Sequence, residues 1–224
     1  MNARDTMLAS IRRSLGVTGR EAPRRMVVAD RLREHPRGVV PARGQLPQPE
    51  RLALFRVMVQ AAAGTIEDVP RAGDVPGAVA RFLRAHNLPM AIRRGADPRL
   101  AALPWDQERT LEVTTGASQG RDLAAISHAF GAIAESGTLM LTSGPDNPTT
   151  LNFLPDTHVV VVAAADVVGD DETLWQRLRD RFGAGALPRA VNLITGPSRS
   201  ADIAQTLVLG AHGPRRLHVM VVGE

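Results

Sequence analysis

The chain contains no cysteine, no lysine and no tyrosine. Without cysteine it has no disulfide, no thiol nucleophile and no iron–sulfur cluster held by its own thiolates. Without lysine it has neither a Schiff-base amine nor the lysine of a P-loop, and all 27 basic residues are arginine. Aromatic residues are only 3% of the sequence, which leaves little to stack on bases and disfavours nucleic-acid binding despite the arginines. No apolar run approaches the roughly 20 residues of a membrane helix. The N-terminal stretch reaches Arg12 and Arg13 without the apolar core of a secretory signal. These absences point to a soluble protein of the cytoplasm with no membrane association.

One further absence concerns chemistry. His35, His86, His128, His158 and His218 show no H-x-H or HExxH spacing, so the sequence offers no metal site.

At 224 residues the chain is long enough for one good core and short for two. Residues 1–56 hold 12 arginines against 5 acids, and the remainder holds 15 against 18, so the basicity belongs to the N-terminal part. Residues 3–15 carry Met7, Leu8, Ile11 and Leu15 at helical spacing, with Gly16 placed to end the helix. Residues 17–49 contain Pro23, Pro36, Pro41, Pro47 and Pro49 with no sustained period, and read as an extended arm. The division is therefore 1–49, a helix plus arm, and 50–224, a compact domain. From Glu50 onward helix-period and strand-period segments alternate, as in a mostly parallel sheet with helices on its faces. Helices are expected over 50–63, 74–86 and 170–182. Strands are expected over 65–69, 90–94, 110–115, 124–127, 137–142, 158–163, 190–195 and 217–222, the valine run 159–162 and the segment 217–222 being buried on both faces.

Three segments break this alternation. Gly131 to Thr138 places Glu135 two residues before Gly137 at a tight entry to a strand, where a carboxylate can act as nucleophile, base or hydrogen-bond acceptor, or merely cap the turn. In Val191 to Ile203 a strand ends in Gly196-Pro197, and Ser198, Arg199 and Ser200 precede a short helix. Free backbone N–H groups and the guanidinium would there converge on an anion, although Asp202 in the first turn would repel one and favours a self-capped helix. Gly210 to Arg215 sets His212 beside Gly213, where a backbone approaches a ligand closely and an imidazole can transfer a proton, or serve only the loop.

GAIAESGT, LNFLP before a valine-rich strand, ITGPSRSADI and GAHGP occur in an order that resembles the lactate-utilisation protein C (LutC, or LUD-domain) family over roughly residues 50–224. The resemblance implies a NagB/RpiA/CoA-transferase-like fold, a three-layer α/β/α sandwich around a mostly parallel twisted sheet. It implies a role in oxidising L-lactate to pyruvate beside iron–sulfur partner proteins, the chain itself being an accessory subunit. The segment 147–155 lacks the arginine that many relatives carry there. A site is expected from Glu135, Ser136, Gly137 and Thr138 with Gly196, Ser198, Arg199, Ser200, His212 and Gly213, beyond the carboxyl ends of the strands, with Glu135 and His212 as catalytic candidates. The ligand would be a small anion or a nucleotide-like cofactor. The alternative is a free-standing enzyme, CoA-transferase-like or phosphosugar-isomerase-like, using Glu135.

The first helix is too short to be stable alone in water, so its apolar stripe needs a surface to dock on, in the same chain, a second copy or a partner. Deleting residues 1–49 is expected to leave a folded domain by circular dichroism and to disrupt dimer or complex formation in size-exclusion chromatography. An unfolded product would place the arm in the core.

Overall fold

A computed structural model of the protein describes residues 2–183, 185–200 and 208–223. The chain divides into two compact units, residues 1–40 and 41–224. The first holds helices α1 (Ala3–Leu15) and α2 (Ala22–Glu34). Helix α1 has the bounds the pattern predicts. Asn2 caps it by accepting the Asp5 N–H at 2.9 Å, and Gly16, at φ 62°, turns left-handed to end it. Helix α2 is new: the sequence reads this stretch as an extended arm. Pro23 sits in its first turn, where a missing N–H costs nothing, and Arg24 to Glu34 contains neither Pro nor Gly. Its apolar residues Met26, Val27, Val28 and Leu32 do not share one helical face, which hides the period.

The second unit runs α3 (Gln48–Ala61), β1 (Thr65–Val69), α4 (Val75–Ala85), β2 (Ala91–Arg94), α5 (Pro98–Ala101), β3 (Glu112–Thr115), β4 (Ala124–His128), β5 (Gly131–Ile133), β6 (Thr138–Thr142) and α6 (Thr150–Phe153). It continues through β7 (Thr157–Ala163), β8 (Val167–Val168), α7 (Asp171–Phe182), β9 (Val191–Ile194), β10 (Arg199–Ser200), β11 (Val208–Leu209) and β12 (Arg216–Val222). A six-stranded sheet has the order β1-β12-β7-β4-β2-β3, and every pairing in it is parallel. The architecture is the expected α/β fold around a parallel sheet.

Strand alternation sends side chains to two cores. Ile92, Ile126, Val159, Val161 and Met220 face α4, whose Val75, Val79, Phe82 and Leu83 cover them. Val160, Val162, Val219 and Val221 face the opposite way, onto Phe55 and Val59 of α3. This second face also carries a feature the sequence pattern does not disclose, a four-stranded sheet β8-β5-β6-β9. Strands β5 and β8 are too short to show a period. Ala132, Leu139 and Leu141 of the small sheet pack inward on the parallel sheet, and Ile133, Met140 and Val168 pack outward on Leu174 and Leu178 of α7. Asp170 starts α7 by accepting the Thr173 N–H at 2.8 Å. Among the described residues no helix is long and apolar enough to cross a membrane.

The compact unit begins at Pro41, ahead of the Glu50 boundary read from the sequence. Gly44 and Gly169 approach so closely that a Cβ on either would strike the other's carbonyl oxygen, and Gln45 Nε2 donates to Asp170 Oδ2 at 2.9 Å. A fragment starting at residue 50 loses both contacts and the first two residues of α3. It is expected to be less stable than one starting at residue 41 by at least about 2 kcal/mol, the scale of a hydrogen bond to a buried charge. Urea titration of the two fragments measures the difference, and equal midpoints would place residues 41–49 outside the folding unit.

Candidate functional site

Two of the three expected loops converge. Gly196, Ser198 and Arg199, after β9, and His212 and Gly213, before β12, line one cleft of about 260 Å³. Ser198 ties them together. Its N–H donates to the Pro214 carbonyl at 2.8 Å and its carbonyl accepts the Gly210 N–H at 2.9 Å, while its Oγ accepts the His212 N–H at 3.3 Å. A Cβ on Gly213 would lie 3.3 Å from that of Ser198, so a side chain there would press the loops apart. The same bonds correct one expectation: the Ser198 N–H is spent on Pro214 and is not offered to an anion. Where a helix N-cap was expected, Arg199 and Ser200 form β10, paired antiparallel with β11, and Ser200 is buried and does not line the cleft. Asp202 and Ile203 lie outside the described residues.

Arg199 is exposed at the rim. One of its N–H groups donates to the Ala62 carbonyl at 3.1 Å, at the C-cap of α3, where positive charge meets the negative end of the helix dipole. Among the described residues its other N–H groups have no partner. Gly196, at φ 71°, rests on the same carbonyl, which a Cβ would strike. The cleft thus presents a cation beside backbone too tightly packed to carry larger side chains.

The cleft opens at the amino ends of β7 and β12, where His158 pairs with Leu217, and not at the carboxyl ends as expected. The reason is topological: the Gly196 loop follows a strand of the small sheet, and the His212 loop precedes a strand of the parallel one. Glu135 does not reach the cleft. Its N–H donates to the Gly169 carbonyl at 3.2 Å, and the side chain is buried near Asp170, Asp171 and Arg43. The link from this loop to the cleft runs through hydroxyls instead, Ser136 Oγ to Thr138 Oγ1 and Thr138 Oγ1 to Thr195 Oγ1, each at 2.7 Å. Gly137, at φ 70°, serves α3: a Cβ there would lie 2.6 Å from the Met58 backbone.

Two residues of the cleft wall, Asn152 and His158, carry no motif in the sequence that marks them. His158 is fully buried, and burial pushes its pKa down to about 3, so the ring is neutral across the physiological range. Its Nε2 lies 3.0 Å from Ser127 Oγ, which donates to Asn152 Oδ1 at 3.3 Å. The signal available in the sequence was a single histidine leading a run of four valines, in a strand with no solvated face.

The carboxyl end of the sheet carries a second, larger crevice of about 650 Å³, bounded by Asp97, Arg99, Phe130, Asn147 and Arg181. The chain runs outward from β2 to β3 and inward from β4 to β7. The gap between β2 and β4 is therefore a topological switch point, where open parallel sheets hold ligands. Asp97 clasps Arg99 there at 3.0 and 2.7 Å, which neutralises most of that charge. His128, ending β4, donates from Nδ1 to the Ala129 carbonyl at 2.9 Å, and burial, then the Arg99 charge, lower its pKa. Among the described residues no group of three or more His, Cys, Asp or Glu side chains is arranged to hold a metal ion.

Glu135 generates a pH prediction. Burial first, and the Asp171 charge second, raise its pKa above 4.5, and its Oε2 has no hydrogen-bond partner among the described residues. A raised carboxyl pKa means the native state loses stability as pH rises from 4.5 through the folded value, and bears the full cost above it. Glu135→Gln is therefore expected to raise the melting temperature at pH 7–8, with the gain vanishing below about pH 4.5. A lower melting temperature at pH 7 would show that the carboxylate has a stabilising partner.

Residues 77–222 match the LUD domain family. A protein of Geobacillus thermodenitrificans named Lactate utilization protein C is 36% identical over 143 residues, 58% of this chain and 60% of that protein. Its namesake in Bacillus subtilis is 32% identical over 121 residues, 54% of this chain and 50% of that one. The matched stretches thus span half to three-fifths of these relatives' own length. A crystal structure of a DUF162 family protein from Deinococcus radiodurans superposes with a TM-score of 0.58 at 24% identity, covering 80% of this chain and 99% of that one, which establishes likeness of fold. With the match running from α4 through β12, this chain belongs to the LUD domain family.

Proposed function

We propose that this protein is a component of a lactate-utilisation system that oxidises L-lactate to pyruvate. It acts as the subunit that binds a small anion, beside partner proteins that carry iron–sulfur clusters. The observation that carries the reading is the similarity to two proteins named Lactate utilization protein C. The amino-end cleft supports it chemically, because Arg199 supplies a fixed positive charge to a space of small-molecule size. The composition supports this division of labour: a chain with no cysteine has no thiolates to hold clusters, which would then lie on the partner proteins. The alternative of a free-standing transferase or isomerase depends on Glu135, and the buried position of Glu135 away from the cleft lends that reading no support.

Arg199 separates ligand binding from structure. A charge-assisted hydrogen bond contributes about 1.5–3 kcal/mol, so Arg199→Ala is expected to weaken binding of L-lactate or phosphate by about 10- to 100-fold. Loss of the exposed contact to Ala62 is expected to lower stability by no more than about 1 kcal/mol. Isothermal titration and thermal melting read the two effects. A large fall in melting temperature with unchanged affinity would make Arg199 a cap for α3 and remove the anion site.

A further inference from the structure

The carboxyl-end crevice, about 650 Å³ against about 260 Å³ for the amino-end cleft, shares no residue with that cleft and has no part in the reading above. Its volume suits a cofactor-sized molecule, and it lies at the switch point of the parallel sheet. Three layers build it. Asp97 and Arg99 follow β2 of the parallel sheet, Phe130 leads into β5 and Asp146 follows β6 of the small sheet, and Arg181 and Phe182 end α7. The loop that carries Asp146 is held in place: a Cβ on Gly95, next after β2, would strike the Asp146 carbonyl oxygen, and Asn147 Nδ2 donates to the Thr142 carbonyl at 3.0 Å.

The lining combines aromatic rings with charges of both signs. The chain has only five phenylalanines, and two of them meet here with ring centroids 6.4 Å apart. Phe182 remains 39% exposed, so part of its ring is open to a planar partner. The Arg181 guanidinium lies 5.9 Å from the centre of that ring and has no carboxylate partner among the described residues. Asp97 takes Nε and Nη2 of Arg99. Asp146 is exposed and has no cation paired with it among the described residues. Two arginines against two aspartates leave no net charge, so a bare anion gains little here, and an apolar ligand would leave Arg181 and Asp146 unused. A molecule with an aromatic base, a hydroxyl-bearing sugar and a phosphate uses all three kinds of group.

We propose that the carboxyl-end crevice is a second binding site and takes a nucleoside 5′-phosphate, with the base against Phe130 and Phe182, the phosphate at Arg181 and the sugar hydroxyls donating to Asp146. Stacking tolerates any base, because every base offers a π-face. The phosphate gains a charge-assisted hydrogen bond from a planar guanidinium suited to its geometry. A carboxylate only accepts, so Asp146 matches hydroxyl donors and keeps bare anions out.

The test titrates the full-length protein with AMP, adenosine and ribose 5-phosphate by isothermal calorimetry, while NMR records Overhauser contacts between the adenine protons and the five phenylalanine rings. AMP is expected to bind at least about tenfold more tightly than either fragment, since stacking and the phosphate contact each contribute on that scale, and to touch the rings of Phe130 and Phe182. Arg181→Gln is expected to weaken AMP about tenfold and leave adenosine unchanged. Phe182→Leu is expected to weaken AMP and adenosine and leave ribose 5-phosphate unchanged. The ligand series and the contacts on the unaltered protein decide the question even if a variant fails to fold. Equal affinity for AMP and ribose 5-phosphate would overturn the recognition of a base. Loss of AMP binding on Arg199→Ala would place the nucleotide in the amino-end cleft and overturn the second site. Failure of AMP to bind would overturn it too, while titration with L-lactate or phosphate judges the amino-end cleft separately.

Discussion

The insertion of β12 between β1 and β7 is the constraint on which the rest of the structure depends. Its side chains alternate between the two cores, Met220 and Val222 to the α4 side, Leu217, Val219 and Val221 to the α3 side, so one strand closes both. The register also fixes the amino-end cleft. Leu217 lies opposite His158, which holds the Gly213-Pro214 turn over the histidine and lets Pro214 take the Ser198 N–H. A slip of one residue would exchange every side chain between the cores and move the loop off the wall it completes.

The two ends of the parallel sheet are chemically unlike. At the carboxyl end Arg99 is clasped by the buried Asp97 carboxylate, so the crevice there offers apolar and polar surface with much of its charge cancelled. At the amino end Arg199, among the described residues, donates to a backbone carbonyl and has no acidic partner, and the His158 imidazole in the wall is held neutral. A cation is therefore offered to an anion at the end where the general rule for parallel sheets would not look for one. The fold supplies the scaffold, and the charges left unpaired on it decide where chemistry is possible.

The sequence disclosed strands and helices wherever burial imposed a period. Residues 65–69 and the helix following Asp170 were legible because apolar spacing, an acidic N-cap and a glycine stop agreed. Helix α2 was not, because its apolar residues follow no face and prolines surround it. The small sheet was not, because β5 and β8 are too brief to alternate. At the site, glycine-rich loops announced Ser198, Arg199 and His212, since tight approach requires glycine at 196 and 213. Glu135 looked equivalent to them in sequence and is not in space, because its N–H pairs with Gly169 just after β8, at the edge of the small sheet opposite β9. His158 was invisible for the opposite reason: a residue within a valine run looks like packing until the partners of its two nitrogens are known.

The third core, formed by Ile133, Met140, Val168, Leu174 and Leu178, is small and shares none of these residues with the two larger ones. Helix α7 is therefore fastened by a few side chains to a layer that is itself anchored elsewhere. Opening of this helix exposes little apolar surface and leaves both faces of the parallel sheet intact, so it belongs to the low end of the protein's hierarchy of local unfolding. The slowest-exchanging amides are expected in β7 and β12, with those of α7 turning over to deuterium well before them. When the helix lifts, its capping Asp170 releases Gln45, so the segment that begins the compact unit loosens in the same motion.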